Sequence, residues 1–244
     1  IALLLSNLGY LYNWKTDYDL AEEYSKKALD MLRRVLGENS AHEDICRTLR
    51  NLGDTYHGRG VLDKAVDYYI KPVRMLIDLH GADTDHRDIA DAYTRLGRIC
   101  ILCEQHEQAD HHLKTALDMY NRMYSGTEPK IEVAAVFREF GRNHFSKGDF
   151  KKALSHYHQE LDIYRKISTK VESSLNLGAT LFQIGVCYQQ LEDYEAAEQY
   201  SIQALSEYRR VYGEDSPHKD IKQAAATVEE VKQQSKLKTC ADDQ

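Results

Sequence analysis

Apolar and polar positions recur along this chain with a period of 44 residues. Gly9, Gly53, Gly97, Gly141 and Gly185 mark the period, each preceded by a bulky side chain (Leu8, Leu52, Leu96, Phe140, Ile184). Twelve residues after each glycine stands an alanine: Ala21, Ala65, Ala109, Ala153 and Ala197. Eight residues before each lies an aliphatic residue, namely Ile1, Ile45, Ile89, Val133 and Leu177, and Ile221 opens a sixth unit at the same spacing. Several independent columns in one register mark internal repetition.

Each period reads as two helices. In the first, Leu5, Leu8, Gly9 and Tyr12 follow the i, i+3, i+4, i+7 spacing of an amphipathic stripe. A short polar turn follows, such as His57 to Gly60 or Ser146 to Asp149. The second helix holds the small residue (Ala21), then Tyr24, Ala28, Leu29 and Leu32. Glycine and alanine at fixed places let two helix backbones approach closely, as a tight hairpin that stacks on its neighbours requires. Boundaries are marked too. Ser40, Thr84 and Ser216 are expected N-caps, with Ser40 and Glu43 forming a capping box. Pro129 and Pro217 are expected at first helical positions, and Gly37, Gly81 and Gly213 at second-helix ends. Asp44, Asp88 and Asp220 fall in first turns, where the helix dipole favours them. Pro72, inside a second helix, predicts a kink.

The pattern predicts an all-α solenoid of tandem antiparallel helical hairpins. Five units span 1–44, 45–88, 89–132, 133–176 and 177–220. A polar capping helix follows over 217–236, and 237–244 reads as a disordered tail. The start at Ile1 reads as a cut from a longer protein.

Composition narrows the function. The net charge of -7 argues against general nucleic-acid affinity, which needs a basic footprint. Five cysteines at irregular spacing (Cys46, Cys100, Cys103, Cys187, Cys240) suit a reducing, cytoplasmic setting better than a disulfide framework. No run is long enough to span a membrane, and no P-loop, G-x-S-x-G, H-E-x-x-H or dinucleotide fingerprint occurs. No cofactor and no metal site is indicated, and an enzyme is not expected.

The run Leu52, Gly53 and Tyr56, the alanine twelve residues on and a further alanine seven beyond resemble the tetratricopeptide repeat. The linker Gly37, His42, Glu43, Asp44, Ile45, repeated at Gly81 to Ile89 and Gly213 to Ile221, is similar to the kinesin-light-chain and nephrocystin branch. The resemblance covers residues 1 to about 235. Cys100 and His144 depart from its tyrosine column, and Pro72 and Glu160 from its second alanine. It implies a right-handed superhelix whose first helices line a concave groove, and a protein-binding scaffold.

The face of the first helices opposite the glycine column gathers arginines: Arg47, Arg50 and Asn51 with Asp54 in the second unit, Arg95 and Arg98 with Asp91 and Thr94 in the third, Arg138 and Arg142 with Glu139 in the fourth. Tyr10 and Trp14 flank them in the first unit, Phe182 and Val186 in the fifth. One reading is a groove of repeats two to four for an acidic linear peptide, since the guanidinium fork pairs bidentately with carboxylate. Asn7, Asn13 and Asn51 would then clamp the peptide backbone. The other reading is internal pairing, Asp91 with Arg95 and Arg50 with Asp54 along one helix. The rival function is a structural element that self-associates or docks on further domains of the same chain. The C-x-x-C pair, Cys100 and Cys103, reads as structural because no second pair exists. His42, His86 and His218, one per linker, read as capping or packing residues.

Overall fold

A computed structural model describes residues 1–38, 40–81, 84–124, 130–167, 171–214 and 216–242, without side chains at 171–174 and 239–242. Among them every regular element is an α-helix. The chain divides into two units, Ile1–Gly126 and Thr127–Gln244. The first holds α1 (Ala2–Trp14), α2 (Tyr18–Leu36), α3 (Glu43–Gly58), α4 (Leu62–His80), α5 (Arg87–Leu102) and α6 (His106–Met123). The second holds α7 (Ile131–Ser146), α8 (Phe150–Ile167), α9 (Val171–Gln190), α10 (Tyr194–Tyr212) and α11 (Lys219–Asp242). The helices follow one another as hairpins in an all-α solenoid.

The small-residue columns hold the hairpins closed. All five alanines twelve residues beyond the marker glycines are wholly buried. A methyl group added at Gly53 would come within 2.5 Å of the Tyr69 ring, and at Gly141 within 2.4 Å of Tyr157. The glycine therefore clears room for the side chain sixteen residues on, in the partner helix. The turn between the two helices carries a left-handed residue at one fixed place: Thr16, Gly60, Glu104, Gly148 and Glu192. Two of the five are glycine, the residue that pays no Cβ penalty there.

Helix entry differs from the expectation. Residues 42 and 86, not Ser40 and Thr84, are the caps. His42 Nδ1 accepts from the Asp44 amide at 3.1 Å and His86 Nδ1 from the Asp88 amide at 3.2 Å, and His218 does the same for Asp220 at 3.3 Å. A ring nitrogen thus does the work of the serine oxygen, two residues later. Ser40 instead closes a turn, its amide donating to the Gly37 carbonyl. Gly37, Gly81 and Gly213 end their helices at positive φ, as expected. Pro217 precedes the α11 cap rather than opening the helix, and Pro129 lies outside the described residues. Pro72 is buried inside α4, which runs on past it to His80.

The last helix runs to Asp242, past the end expected at 236. Residues 219–242 contain neither glycine nor proline to stop it, and Lys238 ties its far end down. That Nζ donates to the Glu192 carbonyl at 3.0 Å and lies over the Tyr194 ring.

Candidate protein-binding surface

Five of the six arginines expected to share one open face, Arg47, Arg50, Arg95, Arg138 and Arg142, are engaged with carboxylates. Arg50 Nη1 donates to Asp88 Oδ1 at 2.8 Å and lies 3.8 Å from Asp91. Arg95 donates to Asp54, which also accepts from the Tyr69 hydroxyl. These pairs run between successive repeats, not along one helix as the internal-pairing reading had it. Burial disfavours the Arg95 charge, but Asp54 and Tyr69 outweigh it and hold the guanidinium pKa above its ordinary value. Arg47 pairs with Asp44 in its own helix.

Asn51 is buried. Its amide donates to the Ser6 carbonyl at 3.1 Å, and the Ser6 and Thr48 hydroxyls lie 3.0 Å apart beside it. It belongs to the packing of α3 on α1, which leaves no amide for a peptide. In the second unit Arg138 Nε donates to Glu160 at 2.6 Å, and its Nη2 to the Tyr164 hydroxyl at 2.9 Å and to Asn176 at 3.0 Å. Burial pushes the Glu160 carboxyl up, against the pull of Arg138. Arg142 is exposed, 3.4 Å from Glu139. Phe182 is buried in the core of that unit, with Val186 packed against it.

Five of the expected residues do come together. A concavity of about 450 Å³ in the first unit is lined by Tyr10, Asn13 and Trp14 from α1, Asp54 and His57 from α3, and Arg95 and Arg98 from α5. Trp14 is 71% exposed, and the Tyr10 ring meets it edge-on at 6.2 Å. Asn7 is exposed on the same helix. The concavity follows a column of the repeat: Tyr10, Asp54 and Arg98 are each the residue after a marker glycine. His57 was not singled out from the sequence, although it stands one period after Asn13.

Tetratricopeptide-repeat models match residues 1–78, 88–166 and 177–218. The chain is a tetratricopeptide-repeat protein. Its fold is that of a protein–protein interaction scaffold, and repeats of this kind are typically not enzymes. This tetratricopeptide-repeat chain resembles solved structures of the kinesin-light-chain branch. BtubC (BKLC) from P. vanneervenii is 21% identical with a TM-score of 0.69, over 86% of this chain and 80% of that one. A putative kinesin light chain from Podosopora anserina, with nearly identical TPR-like repeats, is 16% identical with a TM-score of 0.63, over 84% and 94%. The apo form of RapI is 15% identical with a TM-score of 0.64, over 98% and 73%. No curated protein sequence matches the chain significantly. Among the described residues no helix is long and apolar enough to cross a membrane.

Proposed function

We propose that the chain is a cytoplasmic, non-enzymatic adaptor that holds an acidic linear segment of a partner protein on the first helices. The binding surface centres on the first three repeats, around Trp14. The observation that carries the reading is the exposed Trp14, beside Tyr10, at the rim of a concavity that Arg95 and Arg98 also line. A large exposed aromatic next to guanidinium groups suits a segment that offers an apolar side chain and carboxylates together. Arg95 already serves Asp54, so the apolar anchor carries more of the affinity than charge does. Binding is modest and weakens with salt.

Trp14 is the single tryptophan of the chain, so its emission reports on this surface alone. Titration with a synthetic peptide of one phenylalanine flanked by glutamates shifts that emission to the blue, and Arg98→Glu weakens the effect while helicity is unchanged. An emission spectrum that stays fixed to millimolar peptide overturns the reading. Arg95→Glu is a poor test, because it sets a second carboxylate against Asp54 and disturbs the stacking of repeats.

A further inference from the structure

A second surface lies among the other helices of the first unit. An open hollow of about 260 Å³ is lined by Arg33, Glu38, Leu49, Lys71, Arg74 and Met75. Leu49 is buried at its base and Met75 half-buried beside it. Three cations and one carboxylate surround this apolar floor. Arg33 Nη1 lies 3.5 Å from Glu38, which is largely exposed, and Arg33 Nε is buried with no hydrogen-bond partner among the described residues. Lys71 rests over the Tyr68 ring at 5.1 Å. Arg74 is exposed and, among the described residues, has no ion-pair or hydrogen-bond partner.

The repeat shows how unusual this charge is. The positions that match Arg74 hold Asp30, Asp118, Asp162 and Ser206. Those that match Lys71 hold Lys27, Thr115, Gln159 and Gln203, and those that match Arg33 hold Ile77, Asn121, Arg165 and Arg209. The first and second repeats alone bring three cations to this place, in a chain of net charge -7. Repeat packing does not require them, since the other repeats do without. A local excess of positive charge over an apolar floor selects a ligand of the opposite pattern.

We infer that the hollow formed by Arg33, Lys71 and Arg74 over Leu49 and Met75 is a second docking site, for an acidic partner segment that carries one aliphatic side chain. The aliphatic group covers Leu49 and Met75. Carboxylates on either side meet the two guanidinium groups in bidentate fashion and Lys71 as a point charge. The site shares no residue with the Trp14 concavity, and it does not depend on that surface being used.

The test is amide-resolved NMR of the full chain, with a synthetic peptide of one leucine flanked by aspartates as the probe. Shifts centred on Arg33 and on Lys71 to Met75 are expected. Arg74→Asp installs the residue that three matching positions already carry, so the fold tolerates it. It weakens binding about tenfold, as expected when two unit charges change at a half-screened site. Lys71→Glu, at an exposed position, gives the same direction. Glycine in place of the peptide's leucine also weakens binding. Trp14→Ala leaves this binding intact, which separates failure here from failure at the first surface. Shifts confined to the Trp14 concavity, an affinity unmoved by Arg74→Asp, or displacement of the peptide from the hollow by single-stranded RNA would each overturn the inference.

Discussion

Arg50 and Arg138 occupy matching positions two repeats apart, yet their charges are balanced in different ways. Arg50 reaches 38 residues forward to Asp88, a carboxylate. Arg138 makes the same step of 38 residues, but there it meets Asn176, a neutral amide. Its charge is answered instead by Glu160, wholly buried on its own second helix. Glu160 stands where the second alanine of the repeat belongs. The geometry of the reach is common to both units, and the carboxylate has moved from the next repeat into the hairpin. Burial makes the second arrangement the more costly one to break, because a desolvated charge that loses its partner finds no water to replace it.

That contrast predicts unequal costs. Arg138→Ala strands the Glu160 carboxylate and destabilises the chain by about 3–5 kcal/mol, whereas Arg50→Ala costs no more than about 1 kcal/mol, since its pair is part-exposed. Adding Glu160→Ala to Arg138→Ala recovers most of the loss by restoring alanine. Urea unfolding of the three variants checks this, and equal costs for Arg50→Ala and Arg138→Ala would break the comparison. Gly53→Ala drives a methyl group into Tyr69 and costs about 1–3 kcal/mol through overpacking, read in the same way.

The buried carboxyl also carries a pH signature. Its pKa is raised in the folded state, so the folded chain holds that proton more tightly than the unfolded one. Stability from this group is full below the ordinary carboxylate range and is lost as pH rises through that range toward the raised value. Glu160→Gln removes the dependence, so the stability difference between variant and parent grows with pH over that interval. A difference that stays flat contradicts the assignment. The smallest effect is at the hairpin turn: Gly60→Ala costs about 1 kcal/mol, and Glu104→Gly gains a similar amount or less, because both positions are left-handed. Thermal melts resolve both.

Much of the fold was legible because it depends on small residues in register. A glycine or an alanine is needed wherever two backbones approach closely, and the sequence displays those columns openly. The site was less legible. The clustering of Arg47, Arg50, Arg95 and Arg98 is visible, but their partners are 38 to 41 residues away for Arg50 and Arg95, and a charge count along one helix does not reveal them. Asn51 looks like a groove residue by helical angle, yet it faces α1, because the first helices touch one another along that edge. The departures from the repeat were the more telling marks. Glu160 in place of alanine is the partner of Arg138, and Tyr10 stands where the second and third repeats have Asp54 and Arg98. The histidine linkers were read as capping or packing residues, and Nδ1 capping is what they do.

On the proposed function, the first helices divide the labour: Arg50 holds repeats together and Trp14 would meet the partner. Fluorescence anisotropy of a labelled peptide, one phenylalanine flanked by glutamates, compares Trp14→Ala with Arg50→Ala at physiological salt. The account predicts a loss of about tenfold or more for Trp14→Ala, as for an exposed aromatic anchor, and less than about twofold for Arg50→Ala. Strong loss with Arg50→Ala and full binding with Trp14→Ala would contradict it.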